Sequence, residues 1–96
     1  MDIIKITVVV ENTAPPEDLI AEHGLSLWIE TPSAKILFDT GQGEAFPHNA
    51  VALNIPLEHT DAIVLSHGHY DHTGGLPHAL QRAPNAKIFM HPEAFA

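Results

Sequence analysis

Histidine and aspartate are concentrated in one short stretch of the sequence, SHGHYDHTGG at residues 66–75. Its candidate metal ligands are His67, His69, Asp71 and His72. On a locally extended backbone His67 and His69 project to the same side, and Asp71 keeps that parity while His72 departs from it. Imidazole nitrogen and carboxylate oxygen both suit Zn²⁺ or a similar borderline ion. The spacing therefore predicts two neighbouring ligand pairs, His67 with His69 and Asp71 with His72.

The residues around this stretch favour a built site over a surface loop. A solvated histidine-rich loop or an adventitious chelator is the alternative interpretation. However, the stretch begins where a buried-strand run, AIVL at Ala62–Leu65, ends. Gly74 and Gly75 allow the chain to turn tightly past a bound ion. We therefore predict a metal site at the end of this strand.

The same residues carry a family resemblance. The sequence SHGHYDHTGGL at residues 66–76 resembles the His-x-His-x-Asp-His signature of the metallo-β-lactamase superfamily, and it is preceded by ILFDTG at residues 36–41. The segments EHGLS at residues 22–26 and DTGQ at residues 39–42, with Tyr70 in the signature, are similar to the dihydropterin–aminobenzene phosphate synthase-like branch. The resemblance corresponds to the N-terminal half of such a protein.

The resemblance implies a role for each candidate residue. His67 and His69 would bind a first ion, and Asp71 and His72 a second, with zinc favoured and manganese or iron as alternatives. Asp71 would also be catalytic, by orienting the reacting water or accepting its proton. Asp39 ends an apolar strand, where a semi-buried carboxylate requires hydrogen-bond partners and a ligating imidazole requires an acceptor for its second N–H. Asp39 is therefore expected to support the ligands without binding the metal.

Composition limits the other function classes. A chain of 96 residues makes one small domain at most. The absence of cysteine excludes disulfides and a thiolate structural zinc site. A formal net charge of −8, from 12 acidic and 4 basic residues, argues against nucleic acid or an anionic membrane as partner. No apolar run is long enough to span a bilayer and no signal-peptide pattern is present, so a cytoplasmic protein is expected.

Hydrophobic patterning predicts an α/β fold. Residues 17–23 are expected to be a short helical or irregular segment, and the unit from Ala62 to Met90 predicts parallel strands joined by a right-handed crossover. The resemblance implies that residues 1–96 form the N-terminal half of an αββα sandwich, with one mixed sheet, helices on one face and the C-terminal half absent. The predicted strands are Ile3–Val10, Ser26–Glu30, Ile36–Asp39, Ala62–Leu65 and Ile88–Met90, and the predicted helices are Glu44–Leu53 and Pro77–Ala83.

The functional expectation is a metal-dependent, hydrolase-like domain whose complete form acts on a small molecule. The resemblance places the third histidine of the first ion, a bridging carboxylate and a last histidine beyond Ala96, so the chain alone is expected to be inactive. Its uncovered sheet face would lead to self-association or to pairing with a C-terminal half. The alternative is a non-catalytic chain that binds metal weakly or acts only as an assembly partner. His23 is an isolated histidine, for which a surface or satisfied core position is the usual role, and the resemblance adds a place near the site.

Overall fold

Strands and short helices alternate along the part of the chain that the structure, a computed structural model, describes. The described residues are 3–13, 18–66 and 68–90, without the side chain of Tyr70. A 3₁₀ turn at Leu57–His59 links the first helix to the fourth strand. The strands are β1 (Lys5–Val10), β2 (Ser26–Glu30), β3 (Lys35–Phe38), β4 (Ala62–Leu65) and β5 (Lys87–Met90), and the helices are α1 (Ala45–Ala52), α2 (Tyr70–Thr73) and α3 (Leu76–Arg82).

The strands form one mixed sheet in the order β1-β2-β3-β4-β5. The pairs β1–β2 and β2–β3 are antiparallel, whereas β3–β4 and β4–β5 are parallel. The predicted mixed sheet and the predicted parallel pairing of β4 with β5 are thus confirmed. Because Phe38 pairs with Val64, β3 and β4 end side by side. The residues that follow these two strands therefore leave the sheet side by side, at the carboxyl ends of β3 and β4.

One face of the sheet carries the core. A β-bulge between Val8 and Val10 turns both Val9 and Val10 toward this face. The fold is therefore α/β with helices packed on one side of the sheet, as the sequence predicts. The buried residues of this core are Val9, Val10, Trp28, Leu37, Ala45, Phe46, Ala50, Leu57, Ile63, Leu65 and Ala79.

The opposite face of the sheet, called the open face below, is apolar but not covered within the described residues. Strand pairing places on it Ile6, Val8, Leu27, Ile29, Ile36, Phe38, Ala62, Val64 and Phe89, with Lys87 at one corner. None of these side chains belongs to the buried core. At the two sides of the face, Ile6 is 59% exposed and Phe89 54% exposed. The uncovered sheet face that the sequence analysis expects is therefore present in this part of the chain.

Several element boundaries differ from the prediction. β1 begins at Lys5 rather than Ile3, and β3 ends at Phe38 because Asp39 adopts a left-handed backbone with φ 56°. The helices predicted at Glu44–Leu53 and Pro77–Ala83 are α1 and α3, which begin and end within a residue of the predicted positions. Residues 18–25 are irregular.

Helix α2 was not predicted and corrects one inference about the ligands. The amides of His72 and Thr73 donate to the carbonyl of His69 at 2.9 and 3.2 Å, which closes a helical turn. The expectation that Asp71 continues the extended parity of the preceding residues is therefore wrong. Asp71 and His72 are presented by a helical turn because the chain reverses there between the end of β4 and the start of α3.

Gly74 is required by a close approach of two segments. A β-carbon at this position would lie 1.9 Å from the carbonyl oxygen of Gln42. The turn is also fixed by the amide of Thr40, which donates to the carbonyl of His72 at 2.7 Å, and by the amide of Gly75, which donates to the Thr40 hydroxyl at 3.0 Å. The ligand stretch therefore packs directly on the loop that follows β3.

Among the residues that the structure describes, each helix lacks the combination of length and apolar composition needed to cross a bilayer.

Candidate metal centre

Asp39 is a buried carboxylate that directly follows β3, where the carboxyl ends of β3 and β4 lie side by side. Its side chain is inaccessible to solvent, and it accepts three hydrogen bonds. The backbone N–H of Ser66 donates to Oδ1 at 2.7 Å, and the Ser66 hydroxyl donates to Oδ2 at 2.5 Å. The third bond joins Oδ2 to Nδ1 of His72 at 2.7 Å. Asp39 thus links the end of β4 to helix α2 and has the hydrogen-bond partners that the sequence predicts it to need.

These bonds define the orientation of the His72 imidazole. A carboxylate only accepts hydrogen bonds, so an ionised Asp39 requires the proton of His72 to be on Nδ1. The other ring nitrogen, Nε2, then carries a lone pair in the neutral imidazole. Nε2 lies 3.4 Å from Oδ2 of Asp71. In the neutral imidazole, two acceptor atoms therefore face each other, an arrangement that a cation between them would stabilise.

The separation of these two atoms suits a divalent metal. Two ligand atoms at about 2.0–2.1 Å from a tetrahedral ion lie about 3.3–3.4 Å apart. A carboxylate that accepts Nδ1–H of a histidine whose Nε2 is directed at the metal is also the usual arrangement around bound zinc. The chemistry and spacing of His72 and Asp71, with Asp39 behind the imidazole, therefore fit two ligand positions of a divalent ion.

The other predicted ligands are placed as follows. His67 lies outside the described residues, as does His91, which was not assigned a role. His69 is exposed at the start of the turn. Among the described His, Asp and Glu side chains, no three converge as a set that could hold a metal ion. The structure thus brings Asp71 and His72 together with Asp39, while the His67–His69 pair and the catalytic role of Asp71 stay predictions.

The charges of the described residues favour a cation at the carboxyl ends of β3 and β4. Asp39 and Asp71 lie there, together with Glu22 in the segment beside them. Lys5, Lys35 and Lys87 each begin a strand. They therefore lie at the end of the sheet opposite the carboxyl ends of β3 and β4. Arg82 ends α3 and pairs with Glu58 at 3.2 Å. No described Lys or Arg side chain therefore accompanies the acidic groups of the site.

Two residues that hold the site in place, Ser66 and Glu22, were not given roles in the sequence analysis. Ser66 donates twice to Asp39, and its position directly after a buried strand was the available signal. Glu22 accepts hydrogen bonds from the amides of Gln42 at 3.0 Å and Ala45 at 3.1 Å. Because these amides belong to distant loop and helix residues, no local pattern could identify Glu22. It holds the segment before β2 against the start of α1.

Asp39→Asn should lower zinc affinity about 10–100-fold, the usual effect of losing a carboxylate that supports a ligating histidine. The amide can present an N–H group where His72 Nδ1–H requires an acceptor, so the imidazole loses its fixed orientation. Asparagine tolerates the left-handed backbone of residue 39, which keeps the loop conformation. Isothermal titration with zinc measures the change. Affinity equal to wild type would contradict the proposed support of His72 by Asp39.

Comparison with known proteins gives a consistent family. The family model of the metallo-β-lactamase superfamily matches residues 19–96. An uncharacterized protein of Methanocaldococcus jannaschii is 41% identical over 91 residues, which cover 94% of this chain and 35% of that protein. The 7,8-dihydropterin-6-methyl-4-(beta-D-ribofuranosyl)-aminobenzene-5'-phosphate synthase of the same organism is 40% identical, over 99% of this chain and 35% of its own length. The chain therefore spans about a third of the length of these curated relatives.

Solved structures show the same fold. The Rm3 metallo-beta-lactamase is similar with a TM-score of 0.66 and 33% sequence identity, over 79% of this chain and 29% of that one. The GOB-18 metallo-beta-lactamase of Elizabethkingia meningoseptica is similar with a TM-score of 0.58 and 26% identity, over 85% of this chain and 37% of that one. The similarity covers most of the present chain and a minor part of each larger protein.

Proposed function

Because the chain belongs to the metallo-β-lactamase superfamily, we propose that it supplies part of the metal site of a hydrolase-like domain, with zinc as the favoured ion. The observation that carries the proposal is the pair of acceptors formed by His72 Nε2 and Asp71 Oδ2, 3.4 Å apart, behind which Asp39 holds the imidazole. A neutral imidazole and a carboxylate facing each other at this distance favour a shared cation.

The proposed roles follow the two ligand pairs. His67 and His69 hold a first ion, and Asp71 and His72 hold a second. A divalent ion in such a site polarises the electrophilic group of a substrate and lowers the pKa of a water molecule. Asp71, whose side chain is only partly buried, would serve as the proton acceptor of the site. Asp39 keeps His72 in the tautomer that directs Nε2 toward the site.

The substrate proposal is limited to a small molecule. The 40% identical relative is a synthase of the aminobenzene phosphate type, and its name supports a place for this chain in the same branch of the superfamily. Since the chain spans only 35% of that relative's length, a hydrolytic or a condensing activity is proposed for a complete domain only. The chain itself is proposed to be inactive.

A non-catalytic role is the second candidate. It is favoured by the absence, in residues 3–13, 18–66 and 68–90, of three side chains that could hold an ion together. It is also favoured by the open face, which suits an assembly partner. Hydrolysis of ester, thioester and phosphodiester substrates by the purified chain, with and without a chelator, tests both the non-catalytic role and the proposed inactivity of the chain alone. Turnover that the chelator abolishes would contradict the non-catalytic role.

Zinc titration tests the proposed function directly. The wild-type chain should bind up to two ions with modest affinity, because each ligand pair is short of the three protein ligands of a catalytic zinc site. The double variant His67→Ala/His69→Ala should lose one ion per chain and keep the second. His59→Ala is a matched control, since His59 is exposed in the 3₁₀ turn before β4. Equal zinc uptake by the wild type and the double variant would exclude this ligand assignment.

A further inference from the structure

His23 makes a second contact with the carboxylate that faces His72. Its Nε2 lies 3.3 Å from Asp71 Oδ2, although the side chain of His23 is 71% exposed. A carboxylate oxygen has two lone pairs, so Oδ2 can accept a hydrogen bond from one side and face an ion on the other. The contact is therefore compatible with metal binding by Asp71.

The backbone beside His23 is fixed even though its imidazole is exposed. Gln42 donates its side-chain N–H to the carbonyl of His23 at 2.7 Å. The preceding residue, Glu22, is held by the amides of Gln42 and Ala45, as described above. His23 therefore starts from an anchored position, which lowers the entropy cost of holding its ring against Asp71.

Gly24 brings this segment close to the backbone of Asp71. A β-carbon on Gly24, whose φ is +148°, would lie 2.4 Å from the carbonyl oxygen of Asp71. The amide of Leu25 donates to that same carbonyl at 3.3 Å. Residues 22–25 thus pack along helix α2, and the imidazole of His23 is directed at the Asp71 side chain.

We propose that His23 is a positioning residue: its Nε2–H donates to Asp71 Oδ2 and holds this carboxylate in the orientation needed to bind the second ion. The inference rests on the proposed metal function and deepens it, because it adds a residue from outside the 66–75 stretch to the site. The role requires a donor at this position and does not require a metal-binding imidazole.

Substitution by alanine and by glutamine separates these requirements. His23→Ala should weaken zinc binding about tenfold, at the low end of the range for residues that orient a ligand, because the contact is partly exposed to solvent. Glutamine can place an amide N–H close to the position of Nε2 and is a poor zinc ligand. His23→Gln should therefore restore affinity to within about twofold of wild type, and His59→Ala should leave it unchanged.

Two readouts besides activity decide the result: the dissociation constant from zinc titration, and the visible absorption spectrum of the cobalt(II)-loaded chain. We expect His23→Ala to alter the cobalt spectrum and His23→Gln to retain it, with thermal unfolding of the metal-free chains unchanged. Wild-type affinity in His23→Ala would overturn the inference alone. Equal losses in both variants would also overturn it, because the imidazole itself would then be required. A wild-type chain that takes up no zinc would overturn the proposed function as well.

Discussion

His72→Ala should reduce the affinity of the second zinc ion by about 100-fold or more. The substitution removes a ligand atom, Nε2, and also removes the group through which the buried Asp39 acts on the site. Its effect should therefore exceed that of Asp39→Asn, which leaves the ligand in place. Zinc titration of the variant, with the stoichiometry fitted, measures the loss.

The same substitution should reduce the stabilisation of the folded chain by zinc. A ligand that binds only the folded state at 100 times its dissociation constant stabilises that state by about 2.7 kcal/mol. Wild-type chain should thus melt at a higher temperature when zinc is added, and His72→Ala should show a smaller rise. The variant without metal should also be less stable, because Asp39 loses one of its three donors; a hydrogen bond to a charged group contributes about 1.5–3 kcal/mol.

The matched control for this prediction is again His59→Ala, which removes an exposed imidazole at the opposite end of β4 from the ligand stretch. Its zinc affinity and its zinc-induced rise in melting temperature should equal those of the wild type. If His72→Ala keeps the wild-type affinity, the proposed coordination of the second ion by Nε2 is wrong, whatever the variant does to stability.

The fold was largely predictable because its signals are local. Short runs of apolar residues predict the positions of β1 to β5, and parallel pairing of β4 with β5 follows from the helix between them. The errors lie where backbone conformation depends on distant partners. Asp39 ends β3 with a positive φ because its side chain is held by Ser66 and His72, which are 27 and 33 residues away along the chain. No spacing rule contains that information.

The candidate site was predictable in residue type and not in geometry. The clustering of histidine and aspartate identified Asp71 and His72, but the sequence suggested an extended backbone where α2 forms. The supporting residues were harder to find: Glu22 was given no role, and only the family resemblance placed His23 near the site. Glu22 and His23 reach the site only because the irregular segment before β2 packs on the loop after β3. Contacts between such segments depend on tertiary structure, which a single sequence does not show.

The wild-type chain should self-associate at micromolar concentration, unless a further polypeptide covers the open face. The open face presents Ile, Val, Leu and Phe side chains from every strand of the described sheet, and none of them is in the core. Contiguous apolar patches beyond about 300–600 Å² are uncommon on soluble monomers. Sedimentation velocity should therefore show dimers or larger species, and their fraction should rise with protein concentration.

Polar substitution of the face separates this association from pairing at the strand edges. Ile6→Thr/Phe89→Thr removes two of its most exposed side chains, and threonine retains a preference for strands. The double variant should shift toward monomer, whereas Val51→Thr, which changes an apolar residue of α1 that is 71% exposed, should not. Undiminished association of the double variant would indicate instead that the outer edges of β1 and β5, which pair with no further strand among the described residues, cause it.

The expected size of the effect follows from the area involved. Covering about 300 Å² of apolar surface, at about 25 cal/mol per Å², contributes about 7.5 kcal/mol. This is comparable to the entire net stability of a small domain, about 5–15 kcal/mol. Association should therefore raise the melting temperature of the chain, and the threonine variant should lose that dependence on protein concentration. A wild-type chain that remains monomeric, melts cooperatively and hydrolyses substrate in a zinc-dependent reaction would contradict both the association and the proposed inactivity of the chain alone.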